Sequence, residues 1–498
     1  MAEQKKPPVS SKQELWEKNR LAFAKLAAVT LSELNKAESK TYSIYTKEDY
    51  RSYIENPKSN EVNLRNMSRY FYLVSTAYRR LCKYYAEIPL LYWTVIPQTD
   101  LQKPDNPDKV KKNYQKVLTL LNNMNMQHEF RKLLTVAWRE DVAYGYIYSS
   151  TDSWFIDILD PDYCRIVQVE DGCLNFAFDF SYYDRRSWKL ESADPDLQRM
   201  YQLYRNDIQN MRWQLLDSKK TICIKVNDDS LTEVVPPMSG IFEDLIDLLD
   251  YRSLLRNREE IQNYVLLLQR VPIDDNSEGV DNFLLDMDTV IQFDAKLQAS
   301  VPDQVGVATT PMEITPIQFK NDTPEVDLLS KATRSMFDNA GTSQMLFNSD
   351  KSGKVGLDAS IHTDEMMAFE VMRQLERWVR RYIKQNVSGS KFIFNFLDIS
   401  PFNKDSFIST QRDLATIGVP NKLTLCAANG MNPLETFSEA YFENDVMNIV
   451  DSFVPLNTSF TQSSAESEPG RPQMDESELS DSGMQTRDDA ENTDTIET

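Results

Sequence analysis

Two histidines, His128 and His362, are all that 498 residues offer for imidazole chemistry. Histidine-based proton transfer and histidine-ligated zinc therefore have little to draw on. His128 falls near the start of an amphipathic helical pattern, where a structural or solvent-facing role is expected. His362 stands beside Asp364 and Glu365. These are neighbours within one helical turn, expected as a solvated charged face, and His362-Thr363-Asp364-Glu365 does not have the HExxH spacing of a zinc protease. The five cysteines, Cys82, Cys164, Cys173, Cys223 and Cys426, form no CxxC pair. So odd and scattered a set reads as small buried thiols of a reducing compartment.

Two aspartate groups have a spacing that metal chemistry uses: Asp157, Asp160 and Asp162, and Asp286, Asp288 and Asp294. Two acids two residues apart on a strand face the same way, which is how metal-dependent nucleases present carboxylates. Such pairs also arise by chance in a chain with 76 acids, and neither group is taken as a metal site. A phosphate loop is approached only at Gly353-Lys354, where Val355 follows in place of Ser or Thr and Asn348 occupies the first-glycine position. Glycine is scarce throughout, 13 residues against a usual share of about 7%. No catalytic residue, metal site or cofactor site is assigned, and the chain is expected not to be an enzyme.

The elements that would position any site follow from periodicity and punctuation. Helices are expected over 12–38, 62–86, 106–126, 127–143 and 196–212. Short strands, Tyr146–Ser149, Trp154–Ile158, Cys164–Val169 and Leu174–Phe180, read as an antiparallel meander, with turns at Asp160-Pro161-Asp162 and Asp171-Gly172. Leu90–Ile96, Thr221–Val226 and Lys391–Phe396 are further strands. After Pro236-Pro237 the longest helical pattern runs over 240–270 and stops at Pro272. The segment 273–318 reads as β-rich, with pieces at Thr289–Phe293, Gln304–Thr309 and Met312–Gln318. Thr323-Pro324-Glu325 opens a helix to about 339. Asn348–Ser360 is a polar break, Ile361–Lys384 a long helix, and 403–417, 421–428 and 433–446 short ones. There is no internal repeat, and the fold class is α+β.

Net charge is −21, which argues against a chain that wraps nucleic acid by neutralising phosphates. Residues 461–498 hold 11 acids against Arg471 and Arg487, with one Leu, one Ile and no aromatic residue. Such a tail is expected to be disordered. Met1–Ser11 is polar, with no apolar run behind it to make a signal peptide. Ile88–Pro97, the most apolar stretch, is half the length of a membrane helix and carries two prolines. A soluble intracellular protein is expected.

The order of elements resembles the portal proteins of tailed bacteriophages: a helical start, a meander, a long helix, a compact β-rich insertion, a second helix, a polar loop and a third long helix. The resemblance is carried by Arg139-Glu140-Asp141-Val142-Ala143-Tyr144-Gly145, by Leu159-Asp160-Pro161 and by the entry from Pro236 to Tyr251. Asn257–Val271 and Asp322–Phe347 are similar to the two stem helices of that family. It covers roughly residues 62–446 and leaves the segment 12–38 unplaced.

That resemblance implies a wing over 1–239, a stem helix over 240–271, a clip over 272–318 and a second stem helix over 319–340. It further implies a tunnel loop over 341–360, a wing helix and strand over 361–400, a crown over 401–455 and the acidic tail over 456–498. It implies a ring of about twelve copies at one capsid vertex of the virion, made in the host cytoplasm. The ring would be a channel for packaging and ejecting double-stranded DNA. Partners by the same token are the major capsid protein and scaffold, the terminase large subunit and head-tail adaptors, with no membrane. Lys351, Gly353, Lys354 and Gly356 would be the DNA-contacting tunnel loop. Two other readings stay open on the residues alone, another virion structural or adaptor protein and a metal-dependent nuclease using the aspartates.

Overall fold

A computed structural model describes residues 45–449 apart from 99–101, 103–104, 151–152, 264, 272–283, 301–304, 311–324, 344–345, 347–353 and 388–390. The expected helix 12–38, the strand Met312–Gln318 and the acidic tail lie outside the described residues. Contacts divide the chain into two units, residues 1–437 and 438–498.

Among the described residues the first unit begins with α1 (Lys47–Glu55), α2 (Glu61–Val74) and α3 (Thr76–Glu87). A single helix was expected over 62–86. Ser75 interrupts it with an extended backbone, its N–H closing α2 onto the Phe71 carbonyl (2.8 Å) and its Oγ accepting from Tyr78 N–H (3.3 Å) at the start of α3. One serine thus serves two helix ends. Then come β1 (Trp93–Pro97), α4 (Pro107–Asn123) and α5 (Met126–Glu140). Met126, Phe130, Leu133, Leu134, Ala137 and Trp138 form the buried stripe of α5.

β2 (Val142–Ser149), β3 (Trp154–Ile158), β4 (Cys164–Glu170) and β5 (Cys173–Asp179) follow where strands were expected. They do not form one meander. β2 is the centre of a sheet ordered β3-β2-β7, and β5 the centre of one ordered β4-β5-β6, all antiparallel. The turn at Asp160-Pro161-Asp162 makes the switch, with the Asp160 side chain accepting from Asp162 N–H (3.2 Å). The β4–β5 hairpin closes through Asp171 (φ 49°) and Gly172 (φ 70°), the left-handed pair that a two-residue hairpin turn requires. Between β5 and β7 lie α6 (Ser187–Ser192), α7 (Pro195–Asn206) and β6 (Trp213–Leu215); β7 is Thr221–Lys225.

Next come α8 (Phe242–Asn263), β8 (Val265–Arg270), α9 (Met287–Ser300), β9 (Val305–Thr310) and α10 (Glu325–Asn339). Two expectations are corrected here. The helix expected over 240–270 ends at Asn263, because Val265–Arg270 pairs in parallel with Val305–Thr310. Thr289–Phe293, expected as a strand, lies within α9, and a parallel pair needs such a crossover element between its strands. The β9 strand stands where Gln304–Thr309 was expected.

α11 (Lys354–Asn386) and β10 (Phe392–Phe396), which pairs antiparallel with β1, complete the body, followed by α12 (Lys404–Thr416), α13 (Lys422–Ala428) and α14 (Pro433–Tyr441). The fold is mixed α+β, mostly helical, with small antiparallel sheets and one parallel strand pair.

α11 holds these layers together. Ala368, Val371, Met372, Leu375, Val379 and Ile383 are buried at three- and four-residue steps. Its polar side chains then satisfy backbone groups on the sheets. Trp378 Nε1 donates to the Thr221 carbonyl (2.9 Å), Arg377 Nε to the Asp171 carbonyl (2.8 Å), and Arg380 Nε to the Phe394 carbonyl (2.7 Å). Gln374 accepts from Lys225 N–H (3.1 Å) and donates to its carbonyl (2.7 Å), as a neighbouring strand would. In the second unit α14 ends and a π-helical turn follows, Phe442–Val446, closed by Met447 N–H onto the Phe442 carbonyl (2.9 Å). Among the described residues no helix is long and apolar enough to cross a membrane.

Candidate functional site

The excursion from α8 to α10 is the feature most unlike a closed globular core. It starts from a firm root. Ser239–Ile241 forms a 3-10 turn, and Glu243 and Asp244 occupy the first turn of α8, where the helix dipole favours acids. Phe242, wholly buried, meets the rings of Phe71 (5.0 Å), Tyr50 (5.7 Å) and Tyr78 (5.8 Å) between centroids. Leu245, Ile246 and Leu248 continue that buried face.

The acids of α8 are paired at this root. Arg51 reaches both oxygens of Glu243 (3.0 Å each), and Lys47 meets Asp247 (2.6 Å). The hydrogen bond from Arg51 holds Glu243 below the usual carboxylate range, and Asp247 holds the Lys47 ammonium above its usual value. Asn339, the last residue of α10, donates to Asp244 Oδ2 (2.8 Å). The chain therefore leaves along α8 and returns along α10, which packs on it.

α10 ends in a tight cap. Gly341 takes φ 70°, Thr342 N–H reaches the Phe337 carbonyl (3.2 Å), and Gly341 N–H reaches that of Asp338 (3.1 Å), the Schellman pattern that a residue without Cβ permits. This cap delivers the buried Thr342 to Tyr85 (2.8 Å). Tyr85 and Tyr84 each donate to one oxygen of Asp364 on α11 (2.8 and 2.9 Å). Burial raises the Asp364 carboxyl, and the two tyrosine donors only partly offset that.

Asp364 and Glu365 are thus not the solvated face expected from the sequence. They are 1% and 5% exposed, with Glu365 accepting from Ser400 Oγ, while His362 stays exposed and meets Glu365 at 3.1 Å. They lie on the side of α11 that packs on α3 and on the chain after β10, where hydroxyl donors substitute for water. Nothing in the local sequence distinguishes the tyrosines that supply them.

Among the described residues β8 and β9 pair only with each other. Leu284 (61%) and Leu285 (42%), just before α9, and Ile291 (57%) and Phe293 (54%), on it, are exposed. Exposed large apolar groups gathered in one segment are the chemistry of an interaction surface.

Of the residues singled out as a tunnel loop, Lys354 and Gly356 stand in the first turn of α11, and a Cβ at Gly356 would meet open space. Lys351 and Gly353 lie outside the described residues. The aspartate groups do not gather around a cation. Asp162 is paired with Arg65 (2.8 Å), and Arg69 stands 3.9 Å from Asp160. Asp288 is in the first turn of α9 and Asp286 just before it, not on a strand. Among the described residues no group of three or more His, Cys, Asp or Glu could hold a metal. All five cysteines are free; four are buried and Cys426 is half-buried. Burial pushes the Cys82 thiol up to about 12, so it is inert at neutral pH.

The stretch Arg139 to Gly145 proves to be structural. Glu140 is buried between Arg69 and Arg139, Asp141 pairs with the buried Lys225, and Gly145 lies where a Cβ would stand 2.5 Å from Ile156 Cγ2 and 2.8 Å from Ile222 Cγ2.

No protein-family model matches the sequence, and no curated protein matches it. Among solved structures, the chain is similar to a chain in the neck of an empty GTA particle computed with C6 symmetry, at 12% identity and TM-score 0.41, covering 73% of this chain and 90% of that one. It is similar as well to a chain in the virion of a native gene transfer agent (GTA) particle, at 13% identity and TM-score 0.37, covering 80% and 96%.

Proposed function

We propose that this chain is a non-enzymatic subunit of a closed ring of the portal type, set at one vertex of a phage-like capsid. The observation that carries the reading is the excursion. Two helices packed at one root carry a strand-helix-strand unit with exposed Leu284, Leu285, Ile291 and Phe293, whose two strands pair, among the described residues, only with each other. A single copy gains nothing from that surface, whereas a ring of copies covers it with neighbours and docked proteins. In this reading α8 and α10 are the stem, and the β8–α9–β9 unit is the clip facing terminase or head-tail adaptors. The body built on α11 is the wing, and the segment between α10 and α11 faces the channel.

The charge balance agrees with a conduit. Duplex DNA carries one charge per about 1.7 Å, so a strongly basic wall would hold it while an acidic or mixed wall lets it slide. The acids at the root of α8 are already engaged by Lys47 and Arg51.

The test is negative-stain microscopy of the full chain, alone and co-expressed with capsid and scaffold proteins from the same source genome. Rings with a central channel are expected. A monodisperse monomer under both conditions would sink the reading. Replacing 284–300 by a polar linker should leave rings but abolish attachment of the next head-tail protein.

A further inference from the structure

A second pair of surfaces lies far along the sequence from the excursion. One is a groove of about 1070 Å³ in the first unit, between β1, the start of α4 and the turn joining α12 to α13. Ile96, Val110, Val419, Leu423 and Phe437 give it apolar walls, and no acidic residue lines it. Lys111 and Lys422 stand exposed at the groove, and among the described residues neither is in an ion pair.

The other surface belongs to the second unit. Tyr441 (62%), Phe442 (53%), Val446 (52%) and Met447 (54%) are exposed around the π-helical turn. The four- and five-residue steps from Phe442 to Val446 and Met447 bring those side chains together into one ridge. Glu439, Glu443 and Asp445 flank it, and no Lys or Arg occurs between Pro433 and Ile449.

We propose that the acidic-flanked ridge at 441–447 of one copy seats in the lysine-rimmed apolar groove of a second copy. An apolar ridge entering an apolar groove is the helix-in-groove mode of recognition. The acids and lysines then meet at the rim, where opposite charge sets partner choice and register. Because one chain carries both surfaces, the contact is head-to-tail and repeats from copy to copy. It requires neither DNA nor a channel and so stands apart from the portal reading. Filaments joined by this contact would keep it and remove the ring, whereas a ring indifferent to these residues would do the reverse.

The test is sedimentation velocity on the full chain over a concentration series. Ridge variant Phe442→Asp/Val446→Asp and groove variant Lys111→Glu/Lys422→Glu change exposed positions only, and circular dichroism checks that both fold. Each alone should raise the concentration for half-assembly by more than about tenfold, since like charges or an unpaired acid at a contact cost several kcal/mol. Mixed in equal amounts, the two variants retain one intact ridge and one intact groove and should stop at a heterodimer. Glu443→Lys/Asp445→Lys placed in the groove variant should restore assembly. Wild-type protein that stays monomeric at micromolar concentration, variants that assemble as wild type does, or a mixture without heterodimer would each overturn the proposal.

Discussion

Replacing Glu140 by Gln isolates one charge at the junction of α5 and β2. The Glu140 side chain is 1% exposed and accepts from Arg69 Nε (3.0 Å), Arg69 Nη2 (2.8 Å) and Arg139 Nε (2.8 Å). Gln keeps the shape but turns one acceptor into an NH2 facing a guanidinium. Breaking a buried pair costs about 3–5 kcal/mol. Arg69 and Arg139 are 14% and 24% exposed and can find some water, so the low end, about 3 kcal/mol, is expected. Burial alone would raise the Glu140 carboxyl, but Arg69 and Arg139 overcome it and hold the group below the ordinary range. A lowered carboxyl contributes stability above its unfolded value and loses it as pH falls through the folded one. Urea unfolding, followed by tryptophan fluorescence at pH 7 and again at about pH 3, should therefore show a gap between wild type and variant that closes in acid. A loss under about 1 kcal/mol at pH 7, or a gap of equal size at both pH values, would refute the electrostatic account.

Gly145→Ala should lower the melting temperature, because its Cβ would intrude on Ile156 and Ile222 and overpacking costs about 1–3 kcal/mol; an unchanged melt contradicts this. Tyr85→Phe removes a donor from Asp364 and should cost about 1.5–3 kcal/mol. Since the donor favours the charged carboxylate, whose titration is shifted upward, the penalty should be full at neutral pH and shrink as acid protonates Asp364, as urea titrations across pH would record. Deletion of residues 461–498 should leave soluble expression and the thermal melt unchanged, since the sequence there holds one Leu and one Ile and no aromatic residue. Lys351→Ala with Lys354→Ala should leave folding and assembly unchanged and alter DNA retention in assembled particles; wild-type retention would leave those lysines without a role in holding DNA.

Periodicity and punctuation located most helices of the body and the strands from β2 to β5. The failures are local and physical. Val265–Arg270 is a short apolar run joined to a helical pattern, and such a run is compatible with either a helix or a buried strand. Only its parallel partner forty residues on decides for the strand. Thr289 to Phe293 looks like a strand because Val290 and Ile291 are β-branched, yet the crossover between parallel strands imposes a helix. Gly353 and Gly356 read as a break, whereas α11 has already begun at Lys354, since a glycine inside a helix costs only about 1 kcal/mol. The Asp364 cluster was illegible because its partners are about 280 residues away. The order of helices and strands was readable because it depends on which elements exist, not on their ends.

An excursion that leaves and returns at one place is aimed only by what grips its two roots. The outgoing root is gripped by aromatic packing around Phe242 and by Arg51 and Lys47 on α1. The returning root is gripped by the Gly341 cap and the chain from Thr342 through Tyr85 to Asp364. Asp364 lies on α11, whose arginines, Gln374 and Trp378 are bound to the backbone of three separate sheets. The returning root is therefore tied to α11, and through α11 to the sheets, by directional hydrogen bonds. Packed interiors resist small displacements and switch only between discrete arrangements. In the ring proposed above, such anchoring would keep α8 and α10 at one angle, which closure needs because an angular error repeated from copy to copy prevents it.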